Sequence, residues 1–521
     1  MGRHFQGFFP EGKVAMEQLF ALGSSPAAQG GFNMAALALR GSRHHNGVSR
    51  VHGGVASEME GYIWPQIPPR ENPITYVTNG VHVNTFLARE WFGLFDMRFG
   101  QEWRNQLCNP DYWRRIDDIP DYSYWSVRQS LKASLLDEAL KQVKRQLKRK
   151  GAGPVQLERQ TRYLHPTNTE TLLIGFARRF ATYKRATLIF QEPERLARLL
   201  NDPERPVLIF FAGKAHPADL PGQQLLRTIY EYSQRPEFEG KVILLEDYNL
   251  ALARKLHTGV DVWLNNPNYP QEACGTSGMK AAINGVINLS VLDGWWAEAY
   301  DGENGWAIVP HTHIPDQEER DRSEAQVLLD ILEHEVIPLY YARDGHGHSE
   351  GWIKKSKVSM RTILPRFNAR RMFLDYAEGL YLPAARHGEK LLEGHRARLL
   401  AEWKRKVAQT WPKVTVRRVD EPVEEVESGE TVSMVIAAQL HGLAPDDVVA
   451  EVLMGWQSEE GDFEVREKRP LRPVGENAQG ETLFRLDFTP TLPGLQCYKL
   501  RIYPHHPLLA HPFEMGFMLW V

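Results

Sequence analysis

Leu172-Leu173-Ile174-Gly175-Phe176-Ala177-Arg178-Arg179-Phe180-Ala181-Thr182-Tyr183-Lys184-Arg185 begins as an apolar run and ends as a basic one. An unbroken apolar run with no polar alternation predicts a strand buried on both faces. The same pattern recurs downstream. A helix is expected over 186–200, after the basic segment. Val207–Ala212 precedes a helix near 223–234, and Val242–Leu245 one near 251–256. Residues 260–264 lead into a Gly-Thr-Ser-Gly turn and its helix, and 285–289 closes the run. Continuous apolar strands alternating with helices predict an α/β fold, a doubly wound parallel sheet. Ligands in such sheets sit beyond the carboxyl ends of the strands. The basic segment and the glycine-rich turn each follow such an end, so they are expected to face one cleft.

With 521 residues the chain is too long for one ordinary core, and two or three domains are expected. A formal charge of −3 offers no bulk attraction to nucleic acid or to an anionic membrane, so any anion site must be built locally. Cys108, Cys274 and Cys497 lie far apart without CxxC spacing, which argues against a disulfide framework, a cysteine metal site, or an oxidising compartment. Met1-Gly2-Arg3-His4-Phe5 lacks the pattern of a signal peptide, and no apolar run approaches a membrane span. A cytoplasmic protein is expected, with no metal, no nucleic-acid partner and no membrane; a homo-oligomer is left open. The 14 tryptophans could stack on sugars, but burial in cores is the commoner use.

Toward the amino end, 32–39 reads as a helix, and the His- and Gly-rich 44–54 as a loop at a domain boundary. Residues 74–82 read as a strand ending in the Asn79-Gly80 turn, and 125–150 as an amphipathic helix. Residues 325–410 read as mostly helical. The Glu-rich run 421–427 marks a boundary. Beyond it the alternation in 431–436, 484–488 and 498–503, with a turn at Leu492-Pro493-Gly494, predicts a small all-β sandwich.

Two segments carry chemistry. Arg178, Arg179, Lys184 and Arg185 surround Tyr183 directly after a strand, a local concentration of cations suited to an anion. Pro270-Gln271-Glu272-Ala273-Cys274-Gly275-Thr276-Ser277-Gly278-Met279-Lys280 combines a carboxylate, small residues that let backbone approach a ligand, hydroxyls and a lysine. Such a lysine can neutralise a phosphate or form an imine with an aldehyde cofactor. Neither the Gly-Lys-Ser/Thr of a Walker loop nor a GxGxxG fingerprint is present.

Together these motifs resemble the α-glucan phosphorylases, the glycogen and maltodextrin phosphorylases. The likeness rests on 175–185, Glu246-Asp247-Tyr248, 272–280, Asn284-Gly285, Leu292-Asp293-Gly294-Trp295, Asn46-Gly47-Val48-Ser49-Arg50-Val51-His52 and Thr78-Asn79-Gly80, within about 30–380. The double-tryptophan stretch 293–304 and the β-rich tail are similar to the bacterial short-type branch. The resemblance implies the C-terminal domain of a two-lobed GT-B glycosyltransferase. Its implied division is 1–80 as an end-piece of the N-terminal domain, 81–412 as the cofactor-carrying domain with C-terminal helices, and 413–521 as the sandwich. It implies pyridoxal 5'-phosphate held as an imine on Lys280. It also implies phosphorolysis of terminal α-1,4-glucosyl units of glycogen, starch or maltodextrin by inorganic phosphate, giving α-D-glucose 1-phosphate with retention. Lys280, Arg179 and Lys184 match catalytic positions, Arg179 being the substrate-phosphate arginine. Arg178, Tyr248, Gly275, Thr276 and Ser277 match cofactor-binding ones. Asn79, Tyr183, Glu272 and Cys274 match substrate-binding ones. The family often has serine where Cys274 stands, and many members read His-Gly-Glu where this chain has His52-Gly53-Gly54.

The family's N-terminal lobe has no counterpart here beyond that end-piece, so the chain reads as a C-terminal half and is expected to turn over poorly by itself. Two other readings stand beside phosphorylase. One is a nucleotide-sugar glucosyltransferase of the glycogen-synthase type. The other is a non-catalytic cofactor- or glucan-binding remnant.

Overall fold

A computed structural model describes residues 16–26, 31–343, 345, 347–422, 425–427, 429–457, 463–490 and 494–521. The first fifteen residues, part of the Glu-rich boundary, and Leu492-Pro493 lie outside the described residues. Contacts divide the chain into two units. One comprises Gly47–Gly53 and Tyr76–Tyr376; the other comprises the described residues of Met1–Asn46, Gly54–Thr75 and Ala377–Val521.

The first unit is built on a six-stranded sheet of β1 (Leu172–Ala177), β2 (Val207–Ala212), β3 (Val242–Leu245), β4 (Val262–Asn265), β5 (Ile287–Val291) and β6 (Gly305–Ile308). The order is β3-β2-β1-β4-β5-β6, and every pairing is parallel. The expected mixed α/β chain with a parallel sheet is therefore present. The side-chain period of two sends Leu172, Ile174 and Phe176 into one core, with Ile209, Phe211 and Leu264. Leu173 and Ala177 enter the other, with Leu208, Phe210 and Trp263. This two-sided burial explains why β1 and β2 read as continuous apolar runs. Each fully buried Leu, Ile or Phe contributes about 1.5–3 kcal/mol. The core holding Leu173 is closed by Leu135, Leu136 and Val143 of α1 (Asp121–Arg149) and by Leu252 and Leu256 of α2 (Leu250–Gly259). Helix α3 (Thr276–Ala282) touches both cores, through Met279 on one side and Ala281 on the other. Helix α4 (Gln317–Ile331) packs Ala325, Leu328 and Leu329 against the opposite face from α1. A short helix, α5 (Ala369–Tyr376), ends the unit.

Sheet growth reverses at β1, which pairs with β2 on one side and β4 on the other. The loops leaving β1 and β4 therefore diverge from adjacent strand ends, and this places the basic segment beside the Glu272 segment.

Four local expectations change. The helix over 186–200 begins only at Pro193, after a short 3-10 turn at Leu188–Phe190, because Pro193 suits a first helical turn and not an interior. The run of strands does not close at 289; Gly305–Ile308 adds a sixth, too short and glycine-bearing to stand out. Only Ile74–Tyr76 of 74–82 is a strand, and Gly80 does not make a hairpin turn. Gly80 instead lies against the chain before α5, where an added Cβ would stand 2.3 Å from the Asn368 carbonyl oxygen. The loop expected over 44–54 becomes helical at Arg50–Met59.

The second unit contains an antiparallel sheet of seven strands: β7 (Thr415–Arg418), β8 (Val432–Gln439), β9 (Val448–Gln457), β10 (Phe463–Glu476), β11 (Thr482–Phe488), β12 (Cys497–Pro504) and β13 (Leu519–Trp520). The long β10 pairs with β9 up to Leu471 and with β11 from Arg472, joining two halves. Met434, Ile436, Val452, Phe484 and Ile502 share a core with Val407 of α6 (Arg396–Thr410) and with Trp411. Arg501 on β12 is fully buried. It donates to Glu451 at 2.7 Å and is paired with Glu71. Eleven of the 14 tryptophans are buried core residues, and Trp91, Trp103, Trp113, Trp263, Trp295, Trp296 and Trp352 among them are fully buried. Among the described residues, no helix is long and apolar enough to cross a membrane.

Candidate functional site

The β1–β2 ladder runs on past the strand ends. Arg178 N–H donates to Ala212 O at 3.1 Å and Phe180 N–H to Lys214 O at 2.9 Å. Gly213 makes that approach tolerable, since at φ 155° an added Cβ would fall 1.9 Å from the Arg178 carbonyl oxygen. A single 3-10 turn, Thr182–Lys184, is closed by Arg185 in the left-handed region at φ 47°. The basic segment is thus a tight loop whose side chains go different ways.

Arg178 and Lys184 go inward and are buried. Arg178 Nη2 lies 2.8 Å and Lys184 Nζ 2.5 Å from the same oxygen, Oε2 of Glu272. The Glu272 carboxylate is also buried. Burial pushes its pKa up, but the two cations outweigh that and hold it below the usual carboxylate value. Two donors of Arg178, Nε and Nη1, are buried with no hydrogen-bond partner among the described residues. Unpaired guanidinium N–H groups in a buried position are costly, and a bound anion would satisfy them. Tyr248 stands near this guanidinium. Burial raises its pKa and the Arg178 charge opposes the rise. It is set there by the turn into α2, which Asn249 caps by accepting from Leu252 N–H at 3.0 Å.

Arg179 and Arg185 do not join the inward pair. Arg179 is exposed and, among the described residues, makes no hydrogen bond or ion pair. Arg185, which the sequence groups with the anion-binding cations, turns instead to the buried Glu324, the part-buried Asp321 and two backbone carbonyls on the far side of the loop. Adjacent loop positions project oppositely, and sequence spacing alone could not assign the sides. The Tyr183 ring lies beneath Lys184, with Nζ 4.6 Å from its centroid.

The Glu272 segment is clasped from β5. The Asp293 carboxylate accepts from Glu272 N–H at 2.9 Å and from Gly294 N–H at 2.8 Å. Trp295 N–H donates to Cys274 O at 2.9 Å. Gly294 has φ 52°, and an added Cβ would stand 2.4 Å from that same carbonyl oxygen. Asp293 is buried, and burial raises its pKa to about 6 despite the two backbone donors. Cys274 is buried and its thiol is pushed up to about 12 by burial, offset in part by the Asn79 backbone N–H. Asn79 is held beside it by Val48 O, which accepts its N–H at 3.1 Å, and by Arg371 Nη2, which donates to its carbonyl at 3.0 Å.

Gly275, at φ 81°, turns the chain into α3, so that Thr276 and Ser277 form its first turn. Trp263 Nε1 donates to Ser277 Oγ at 3.2 Å. One turn on, the Lys280 amine has no hydrogen bond among the described residues. Its Nζ lies 4.5 Å from the Phe86 ring centroid. Burial lowers its pKa, which enriches the neutral, nucleophilic amine. His257, stacked on Trp263 with centroids 4.4 Å apart, is kept neutral by burial and by the nearby Lys280, with its pKa near about 3.

Arg178, Tyr183, Lys184, Tyr248 and Glu272 therefore gather around one point, Asn79 lies beside Cys274, and Lys280 lies on the helix that follows. The sequence reading missed Asp293 and Arg371 as partners of these residues. Asp293 carried one signal, an acid in a Leu-Asp-Gly turn directly after an apolar strand. Arg371 carried none, because it acts from a helix remote in sequence.

Residues 13–302 match the family model for carbohydrate phosphorylase, more than half of the chain. The chain belongs to the carbohydrate phosphorylase family. Residues 411–521, which hold the antiparallel sheet, match the glycogen phosphorylase C-terminal domain. Among similar family members, the maltodextrin phosphorylase of Thermococcus litoralis is 38% identical over 502 residues, 94% of this chain and 57% of the relative. The glycogen phosphorylase of Aquifex aeolicus is 41% identical over 369 residues, 71% of this chain and 52% of the relative. The glycogen phosphorylase of Mycobacterium tuberculosis is 36% identical over 507 residues, 96% and 58% respectively. The chain thus spans somewhat more than half the length of the family members it matches.

Proposed function

We propose that this chain is the cofactor-carrying part of an α-1,4-glucan phosphorylase, acting on terminal glucosyl units of glycogen or maltodextrin with inorganic phosphate. The observation that carries this reading is the pair of buried cations, Arg178 and Lys184, with two guanidinium donors unsatisfied among the described residues, on the loop next to the lysine-bearing helix.

Pyridoxal 5'-phosphate fits the residues present. Lys280 offers a half-buried amine with a lowered pKa and no competing hydrogen bond among the described residues. Tyr248 offers an aromatic face near Arg178, and the unpaired Arg178 donors suit a phosphate. Lys280 would hold the cofactor covalently, with Gly275, Thr276 and Ser277 lining the same helix start. When bound, the cofactor supplies a phosphate that exchanges a proton with the substrate phosphate. The chain's own work is electrostatic. Arg178 and Lys184 neutralise phosphate charge in a site that excludes water, where charge stabilisation is strongest. Arg179, exposed and without a partner among the described residues, is the fork left for the incoming phosphate. Glu272, released from its cations, and Asn79 would accept and donate to glucosyl hydroxyls. Tyr183 and Cys274 shape the same wall. Retention at the anomeric carbon, the GT-B lobe arrangement, the division at about 80 and 412, the sandwich form of the C-terminal sheet and a cytoplasmic location belong to this reading.

Inorganic phosphate and glucose 1-phosphate should compete for the chain, and a nucleotide-sugar such as UDP-glucose should not displace them. Displacement by UDP-glucose alone would favour the glucosyltransferase reading instead.

A further inference from the structure

Arg185 is a cation beside the site that holds no ligand. It is buried, at 6% exposure, and it is the left-handed residue that ends the basic loop. Its fork reaches two elements at once. Nε donates to Asn266 O at 3.0 Å and Nη2 to Pro267 O at 2.8 Å, the first residues after β4. Nη1 donates to Asp321 Oδ1 at 2.8 Å, and Nη2 also to Glu324 Oε2 at 2.5 Å, both on α4. The Arg185 carbonyl accepts from Asn266 Nδ2 at 2.8 Å, and Tyr183 O accepts from Asn268 N–H at 2.7 Å. Helix α4 presents three side chains to these loops at i, i+4 and i+7, which share one helical face: Gln317, Asp321 and Glu324. Gln317 accepts from Asn268 Nδ2 at 3.0 Å and donates to Asp321 at 2.7 Å, while Glu324 accepts from His311 N–H at 3.0 Å.

We infer that Arg185 is a positioning residue that locks the loop after β1 to the loop after β4, so that Lys184 and Arg178 meet Glu272 and the phosphate between them. The inference rests on the proposed phosphate site. Lys184 is the residue immediately before the lock, and Glu272 lies a few residues beyond Asn268 on the other loop, so a slip of either loop changes the 2.5 Å contact directly. The geometry demands arginine. Lysine offers donors at one point only and cannot span two carbonyls and two carboxylates. Charge alone is therefore insufficient.

The test uses the full chain with Arg185→Met, Arg185→Lys and, as a variant that keeps the arginine, Glu324→Gln. Amide hydrogen exchange is measured over 178–185 and 266–272, with β2 as internal reference. Inorganic phosphate affinity is measured by calorimetry, and pyridoxal 5'-phosphate labelling of Lys280 by borohydride reduction. Arg185→Met should speed exchange in both loops but not in β2, and weaken phosphate binding by roughly 10-fold or more, the scale of losing charged hydrogen bonds. Lys280 labelling should be retained, because α3 is not held by this fork. Arg185→Lys should behave like Arg185→Met, and Glu324→Gln should give the same pattern more weakly. Unchanged loop exchange, faster exchange with unchanged phosphate affinity, or rescue by lysine would each overturn the inference. Parallel loss of phosphate binding and labelling would also overturn it, since that marks a general structural role. Should Arg185→Met fail to fold, Glu324→Gln decides by the same two readouts. A wild-type chain that binds no phosphate would refute the proposed site itself, and loop exchange would still judge the lock.

Discussion

Glu272→Gln separates an anion site held in reserve from a structural ion pair. Arg178 keeps Nε and Nη1 unpaired among the described residues, but its Nη2 and the Lys184 Nζ are both spent on one carboxylate oxygen of Glu272, at 2.8 Å and 2.5 Å. A phosphate that uses these donors must first displace Glu272. Each charge-assisted hydrogen bond contributes about 1.5–3 kcal/mol, so displacing even one sets a comparable cost against phosphate binding. The amide of glutamine removes the negative charge and weakens that competition. Phosphate affinity should therefore rise by roughly 10-fold or more in the variant. The same change leaves two buried cations without an anion, so the variant should be less stable by about 3–5 kcal/mol without phosphate. That deficit should shrink as phosphate is added, by mass action. Thermal unfolding across a phosphate series at fixed ionic strength reads both effects, the fixed salt keeping screening constant. Phosphate binding in Glu272→Gln as weak as in the wild type, or weaker, would refute the reasoning and make the three residues a structural cluster.

Other consequences concern the supports of the site and the second unit. Asp293, its carboxyl raised to about 6 by burial, binds its proton more tightly folded than unfolded. It therefore favours the fold at pH 4, and loses that contribution of about 3 kcal/mol as pH rises past 6. Relative to wild type, Asp293→Asn should gain about that much stability between pH 4 and 7, measured by urea unfolding; a flat difference would remove Asp293 as the source. Arg501→Met leaves Glu451 and Glu71 around an apolar side chain and should destabilise the second unit by about 3–5 kcal/mol. Glu71, now held below its usual pKa by Arg501 and Lys468 against the opposing effect of burial, should then titrate higher. The loss should ease as pH falls below that new value.

The sheet was legible because burial on both faces leaves an unmistakable pattern: 172–177 and 207–212 have no polar residue to alternate. The Gly305–Ile308 strand was not legible, since it is short and glycine-bearing and gains its place only by pairing with β5. At the site, residue types were legible and sides were not. Arg178, Lys184 and Arg185 share one loop, yet a 3-10 turn and one left-handed residue send Arg185 away from its neighbours. The supports were hidden for a different reason. Asp293, Arg371 and the α4 carboxylates reach the loops through contacts distant in sequence, which no local spacing encodes.

The central claim is that Lys280 carries the cofactor beside a phosphate site formed by Arg178 and Lys184. Its most direct measurement is incubation of the chain with pyridoxal 5'-phosphate, borohydride reduction and peptide mapping. The half-buried amine of Lys280, with its lowered pKa and no competing hydrogen bond among the described residues, should take the label in near-stoichiometric yield at neutral pH. Label confined to Lys184 or Lys214, or spread over exposed lysines with none on Lys280, would contradict the account.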